Sequence, residues 1–172
     1  MISVTEVLDY FTEPELLAWY LRVGKQKAEQ ISQEALQIGQ TVDWIIQRDA
    51  RQQPRLVSEV PYSQTVHSCL LGWAAFLKDR PLFLHSITGV QTELTDGELI
   101  GHPDVEITEE HRWGIVDIKT SKAIQPKHWL QVAAYWWLKG KQPSVKSPFT
   151  SFVGILRLDK QTDQYEYREI ND

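Results

Sequence analysis

The hydrophobic period of the chain changes near Pro81, and this change limits the folds that the chain can adopt. Before it, residues 25–49 place apolar side chains three and four positions apart, the period of one face of a long helix. After it, apolar residues gather in short strand-like runs separated by polar turn residues. The pattern predicts one α/β domain, with residues 1–80 mainly helical and residues 81–172 forming a sheet and a helix.

The individual elements are predicted from the same periods and from capping residues. Helices are expected from Thr12 to Gly24, over 25–49, from about Thr65 to Leu77, and from Pro126 to about Leu138. Strands are expected over 82–94, 99–107 and 113–119, as an antiparallel meander, and over 150–158 and 164–170. Residues 51–56 are expected to form a loop. Because 172 residues with 42% apolar composition suffice for one core, we expect a single domain over residues 1–172.

The cysteine content and the absence of long apolar runs limit the classes of protein. Cys69 is the only cysteine, which excludes an internal disulfide, an iron-sulfur cluster and a four-cysteine zinc site. A metal would therefore need oxygen or nitrogen ligands. Neither a secretory signal nor a run of membrane-spanning length is visible, so we expect an intracellular, cytoplasmic protein without a membrane partner.

Charge is distributed unevenly along the chain, although the net charge of −5 weakly disfavours a nucleic-acid partner. Residues 117–146 carry six lysines and one acid, whereas residues 90–112 are strongly acidic. An acidic cluster beside a basic one suits a cation site next to a polyanion site. The alternative is that both clusters are solvated faces.

The run Trp113 to Lys119 combines charged and apolar side chains on opposite faces of a predicted strand. Ile115, Asp117 and Lys119 share one face, since side chains alternate along a strand, while Val116 and Ile118 share the other. The apolar second face indicates a central, buried strand. Two charges placed there need partners or a metal.

Asp104 lies in the preceding predicted strand, where a hairpin would bring its carboxylate beside that of Asp117. Two carboxylates with a third oxygen ligand suit a hard divalent cation such as Mg²⁺, which polarises phosphoryl oxygens and activates water. Lys119 could then orient or deprotonate the attacking water, or stabilise the transition state. The alternative is an ordinary Asp-Lys pair on a hairpin, with a turn aspartate after Pro103.

Three motifs in this order resemble those of the PD-(D/E)XK nucleases, in particular the RecB-like exonuclease branch. They are Gly101-His102-Pro103-Asp104, Ile115-Val116-Asp117-Ile118-Lys119-Thr120-Ser121, and Gln131-Val132-Ala133-Ala134-Tyr135. The N-terminal residues also resemble small stand-alone members of the mitochondrial genome maintenance type and their phage relatives. The resemblance implies a restriction-endonuclease-like core, with a central mixed sheet flanked by helices and an N-terminal helical arch.

The resemblance also implies the roles of the site residues. Asp104, Asp117 and Lys119 would be catalytic, and Mg²⁺ or Mn²⁺ would be held by the two aspartates and by the main-chain carbonyl of Ile118. Substrate contacts are expected from Gln131, Tyr135, Ser121, Lys122 and Lys127. Positions 127, 131 and 135 share a helix face, and the alternative is an ordinary solvent-exposed stripe.

Two further acids are candidate metal ligands. Related nucleases usually have a histidine four residues after a glycine on an upstream helix, and this chain has Asp43 four residues after Gly39. Asp43 is therefore either an oxygen ligand in place of the histidine or a solvated helix residue. Glu93, in the predicted strand before the motifs, is a weaker candidate.

The expected function is a metal-dependent nuclease, most simply an exonuclease acting on single-stranded DNA or frayed ends. A structure-selective endonuclease shares the same chemistry and differs only in substrate access. A nuclease-fold module that binds DNA without cutting is the third alternative. Intact Asp104, Asp117 and Lys119 argue against that last possibility.

Overall fold

The structure, a computed structural model, describes residues 1–10, 14–53, 63–109, 112–142 and 150–171. The helices in these ranges are α1 (Val4–Asp9), α2 (Pro14–Val23), α3 (Lys25–Ala50), α4 (Gln64–Asp79), α5 (Phe83–Ser86) and α6 (Pro126–Gly140). The strands are β1 (Ile2–Ser3), β2 (Ile87–Val90), β3 (Leu94–Thr95), β4 (Leu99–Gly101), β5 (Val105–Glu109), β6 (Arg112–Lys119), β7 (Thr150–Leu158) and β8 (Tyr165–Asn171). The helices at 14–23, 25–50, 64–79 and 126–140 confirm the four predicted helices to within a few residues at their described ends.

The main sheet has five strands in the order β2-β5-β6-β7-β8 and is mixed, because β6 runs parallel to β7 and antiparallel to β5. The α6 helix makes the crossover between the two parallel strands, as a parallel connection requires. The prediction that residues 113–119 form a central strand is confirmed. A central mixed sheet flanked by helices also confirms the predicted α/β class.

Helices cover both faces of β6, which explains its apolar second face. On one side Val116 packs into a core with buried residues of α3 and α4, among them Ile46 and Trp73. On the other side Ile115 packs with Tyr135 and Leu138 of α6. The face that carries Ile115, Asp117 and Lys119 is therefore the α6 face, and residues before and after Ile115 are buried with it.

The predicted strand over 99–107 is wrong as a single element. It is divided into β4 and β5, which belong to different sheets, because β4 joins β1 and β3 in a small three-stranded sheet. Pro103 lies at the break and has no N–H group to donate to a ladder, so the strand cannot continue through it. The meander in the main sheet is consequently β2-β5-β6.

The predicted strand over 82–94 is also only partly correct. Its first residues form the short helix α5, and extended structure is limited to Ile87–Val90 and Leu94–Thr95. Between these strands Gln91 adopts a positive φ of 52°, which ends the β2 ladder. The run therefore contributes to both sheets.

The N-terminal residues form elements that apolar periodicity does not reveal. Ser3 caps α1, its side chain accepting from the N–H of Glu6 while the Glu6 carboxylate accepts from the N–H of Ser3. β1 pairs in parallel with β4, and Val4 is buried against the core beside α6. Residues Thr12 and Glu13 of the predicted helix start, and residues 54–56 of the predicted loop, lie outside the described residues.

Within the described residues, no helix combines the length and the apolar character that crossing a bilayer requires.

Candidate active site

Asp104 and Asp117 lie side by side at the end of the β5-β6 hairpin. Val105 pairs with Val116 across the hairpin, so Asp104, the residue before β5, lies beside Asp117. The Oδ2 atom of Asp104 accepts a hydrogen bond from the main-chain N–H of Ile118 at 2.7 Å. This bond joins the two motifs directly and fixes the carboxylate of Asp104 next to the strand that carries Asp117 and Lys119.

Lys119 is paired with Asp117 on the same face of β6. Its Nζ atom lies 2.6 Å from Oδ2 of Asp117, whose side chain is almost fully buried. Burial alone would lower the pKa of Lys119, but the carboxylates of Asp117 and Asp104 outweigh it and the pKa is raised. The lysine is therefore held as an ammonium ion in this arrangement.

Asp43 of α3 belongs to the same group of charges. Its Oδ2 accepts a hydrogen bond from Gln47 at 2.8 Å, while its Oδ1 is buried and accepts none from any residue that the structure describes. Burial raises the pKa of Asp43, and the charge of Asp117 raises it further. One carboxylate oxygen of Asp43 is thus buried, and the residue as a whole is half-buried.

Asp104 is the most strongly perturbed acid of the site. The pKa of Asp104 is well above its ordinary value, first because of burial and then because of the charges of Asp117 and Asp43, with Lys119 acting in the opposite direction. Three carboxylates lie near the ammonium of Lys119 and, beside Asp43, the guanidinium of Arg51, so negative charge is in excess. No group of three His, Cys, Asp or Glu side chains in the described ranges is arranged so that it could hold a metal ion by itself.

Gln131 and Tyr135 extend from α6 towards the same acids. Nε2 of Gln131 donates to the Tyr135 hydroxyl at 2.8 Å, and Tyr135 is buried. The ring of Tyr135 packs so closely on Gly101 that a Cβ atom there would lie 2.6 Å from it. The glycine of the first motif and the tyrosine of the third are therefore in contact, and positions 131 and 135 are not an ordinary solvent-exposed stripe.

These side chains line one cavity of about 550 Å³. Its lining from the three motifs and α3 includes Asp43, Asp104, Asp117, Ile118, Lys119, Gln131 and Tyr135. It is also lined by Ser3, Thr5, Leu36, Gln40, Gln91, His102 and Thr120. The volume is typical of a site for a small ligand or part of a larger one.

Several residues that line the cavity were not singled out by the sequence, among them Gln91, Ser3 and Thr5. Gln91 matters most, because its Nε2 donates to Oδ1 of Asp104 at 2.8 Å. No motif marks this glutamine, and only the fold brings it to Asp104. By contrast, Ser3 with Glu6 matches a capping-box pattern that would have placed a helix start at this point.

The other predicted site residues lie outside the cavity lining. The hydroxyl of Ser121 donates to the carbonyl of Ala123 at 2.8 Å, and Lys122 and Lys127 are exposed. Glu93 is also exposed, and its carboxylate lies 3.8 Å from Nε2 of His102. The structure thus brings Glu93 to His102 and not to the three aspartates.

Fold and site together define an α/β protein with a buried aspartate-lysine site at the centre of a mixed sheet. No protein-family model matches the chain, and no curated protein matches it. A solved structure described as the crystal structure of SSO0001 is 15% identical to this chain, with a TM-score of 0.45, over 99% of this chain and 67% of that one. A similarity of this size carries no argument about function.

Proposed function

We propose that the chain is a metal-dependent nuclease of the PD-(D/E)XK type that hydrolyses DNA phosphodiester bonds. The observation that carries the proposal is the meeting of Asp104, Asp117 and Lys119 in one cavity, joined by the Asp104-Ile118 hydrogen bond and the Asp117-Lys119 ion pair. Gln131 of the third motif lines the same cavity. The proposal includes the restriction-endonuclease-like core and the N-terminal arch, and places the protein inside the cell.

The donor chemistry of the cavity fits Mg²⁺ or Mn²⁺. The acids that line it are the aspartates Asp43, Asp104 and Asp117, which offer carboxylate oxygens. Mg²⁺ is usually bound by one or two carboxylates together with waters and substrate phosphates. Asp104, Asp117 and the carbonyl of Ile118 would hold the cation, with the buried Oδ1 of Asp43 as a further ligand. When bound, the cation would polarise the scissile phosphate and lower the pKa of the attacking water.

The chain's own residues supply the remaining chemistry. Lys119, held as an ammonium by the neighbouring carboxylates, is suited to stabilise negative charge that develops on a phosphoryl oxygen. Gln131 and the Tyr135 hydroxyl can bind phosphate or sugar oxygens and orient the strand. Asp104 and Asp117 are both fixed to β6, the strand that carries Lys119.

The size of the cavity suits one nucleotide or a strand end as the bound part of the substrate. A volume of about 550 Å³ accommodates a group of that size, whereas a base-paired duplex would first have to separate or expel a nucleotide. Exposed Lys122 and Lys127 follow the second motif and begin the helix of the third, and they can attract the phosphate backbone. We therefore favour an exonuclease on single-stranded DNA or frayed ends.

The proposal is tested by incubating the protein with end-labelled single- and double-stranded DNA, with Mg²⁺, with Mn²⁺ and with chelator. Single nucleotides released from labelled single strands, with either metal and not with chelator, are the expected result. Internal cuts at junctions would point to the endonuclease. Binding without any cleavage under all conditions would point to the non-cleaving module and overturn the proposal.

A further inference from the structure

Gln91 occupies an unusual backbone position beside the cavity. It follows β2 and has a φ of 52°. Residues other than glycine and asparagine rarely adopt this left-handed backbone conformation. Its main-chain N–H points at the carbonyls of Pro103 and Asp104, at 3.1 and 3.3 Å. A strained residue of this kind persists only where its surroundings hold it, and such residues cluster at functional sites.

The side chain of Gln91 completes the hydrogen bonding of Asp104. Nε2 of Gln91 donates to Oδ1 at 2.8 Å, while the N–H of Ile118 donates to Oδ2 at 2.7 Å. Each carboxylate oxygen therefore has one fixed donor, and the plane of the carboxylate is set. An amide achieves this without adding a fourth negative charge to a cavity that already contains three carboxylates.

The turn that carries Gln91 is itself anchored. A Cβ atom on Gly89 would lie 2.5 Å from the hydroxyl of Thr92, so the turn folds tightly back on the end of β2. Nη2 of Arg51 donates to the carbonyl of Val90 at 3.4 Å.

The same arginine connects this turn to the third acid of the site. Nη1 of Arg51 donates to Oε1 of Gln47 at 3.3 Å, and Gln47 in turn donates to Asp43. Both outer acids of the site, Asp43 and Asp104, are thus held by a glutamine amide. Arg51 links Gln47 to the carbonyl of Val90, the residue that precedes Gln91.

We propose that Gln91 is a positioning residue that orients the Asp104 carboxylate for cation binding. The inference rests on the proposed function, and it assigns to Gln91 a role that none of the three motifs contains. Outer hydrogen-bond partners of metal ligands commonly change metal affinity or activity by about 10- to 100-fold when they are removed. Gln91 has the contacts of such a partner.

The test compares Gln91→Asn and Gln91→Gly with the matched control Gln142→Asn. Asparagine and glycine both tolerate positive φ and keep the main-chain N–H. Asparagine is one methylene group shorter than glutamine and glycine has no side chain, so both variants lose the hydrogen bond to Asp104. Gln142 is also half-buried, and its Nε2 donates at 2.9 Å to the carbonyl of Thr95, away from the cavity. The control therefore removes a similar hydrogen bond by the same substitution.

For each protein, calorimetry gives the Kd for Mn²⁺, kinetics on single-stranded DNA give kcat and KM, and a thermal scan gives Tm. We expect both Gln91 variants to weaken Mn²⁺ binding and to lower kcat, each by about tenfold or more, with little change in KM or Tm. The Gln142 variant should keep the wild-type Kd and kcat.

Two results overturn the inference. If the wild type binds Mn²⁺ and cleaves DNA while the Gln91 variants match it within about twofold, Gln91 has no positioning role and the proposed function stands. If the Gln142 variant loses as much Mn²⁺ affinity and kcat as the Gln91 variants, the losses reflect a general effect on stability. Gln91 then has no positioning role, and the proposed function again stands. If the wild type itself neither binds Mn²⁺ nor cleaves, the proposed function fails and the role of Gln91 fails with it.

Discussion

The carboxylate of Asp104 accepts a hydrogen bond of 2.7 Å from the main-chain N–H of Ile118, the residue between Asp117 and Lys119. The bond crosses from the residue before β5 to the neighbouring strand β6. It keeps two acids close together although burial and like charge raise the cost of doing so. The cation of the proposed function would offset that cost.

Asp117→Asn should abolish cleavage and leave the fold intact. The substitution removes a negative charge from the cavity with almost no change in shape, and it also relieves the repulsion that raises the pKa of Asp104 and Asp43. We expect a Tm at or slightly above the wild-type value, measured without metal. The control is Asp9→Asn, at the exposed end of α1. Metal-dependent activity that survives in the Asp117 variant would contradict the assignment of the site.

Lys119→Ala should lose turnover far more than metal affinity. Its Nζ lies 2.6 Å from Asp117, so removing it leaves the site more negative and Mn²⁺ binding unchanged or tighter. The loss of a charged donor at the reacting phosphate should lower kcat by about 100-fold or more. Calorimetry and single-turnover kinetics measure the two effects separately. Mn²⁺ binding that collapses together with kcat would argue against this role for Lys119.

Without metal, the stability of the protein should fall as the pH rises above the ordinary aspartate range. Asp104 has a raised pKa in the folded state, because of burial and the charges of Asp117 and Asp43. Its contribution to the free energy of unfolding is therefore complete below the unfolded pKa of about 3.9 and is lost as the pH rises through the higher folded value. Thermal scans with chelator, from acidic to neutral pH, measure this fall.

Two comparisons identify the source of that pH dependence. Asp104→Asn should show a shallower fall in Tm, because the titrating group is gone. Saturating Mn²⁺ should raise the Tm of the wild type at neutral pH, because a ligand that binds only the folded state stabilises it. An unchanged slope in the variant would mean that Asp104 does not titrate abnormally.

The parts of the site that the sequence predicted depend on local periodicity. Alternation along residues 113–119 placed Asp117 and Lys119 on one face, and helical spacing placed Gln131 and Tyr135 together, because both periods follow from backbone geometry. The division of the 99–107 strand is also a local effect, since Pro103 is visible in the sequence. The contact between Gln91 and Asp104 could not be predicted in the same way, because it depends on a positive φ and on the pairing of β2 with β5.

Gly101→Ala should destabilise the fold at the contact between the first and third motifs. The added Cβ would lie 2.6 Å from the ring of Tyr135, so the ring or the strand must shift, at a cost of about 1–3 kcal/mol. The control is Gly140→Ala at the end of α6, where a Cβ meets nothing within 4 Å. Denaturant unfolding should show a loss only for the Gly101 variant. Equal stability of the two variants would contradict the close packing.

Two substitutions decide the role of Asp43 in the proposed site. If its carboxylate is a ligand, Asp43→Ala should weaken Mn²⁺ binding and lower activity by about 10- to 100-fold. Asp43→His should restore much of both and shift the preference from Mg²⁺ towards Mn²⁺, because a nitrogen ligand suits the softer ion better. Rates and Mn²⁺ and Mg²⁺ titrations of both variants measure this.

Asp43→Asn separates charge from hydrogen bonding at the same position. In the wild type, Nε2 of Gln47 donates to Oδ2 of Asp43 at 2.8 Å, and the amide oxygen of asparagine can still accept this bond. The substitution removes the negative charge that Asp43 adds beside Asp104 and Asp117. A ligand role predicts that this variant resembles Asp43→Ala in metal affinity, since the charged oxygen is what the cation loses. A purely structural role predicts that it resembles the wild type. Unchanged Mg²⁺ dependence in both Asp43→Asn and Asp43→Ala would remove Asp43 from the site and leave Asp104 and Asp117 as its only carboxylate ligands among the residues that the structure describes.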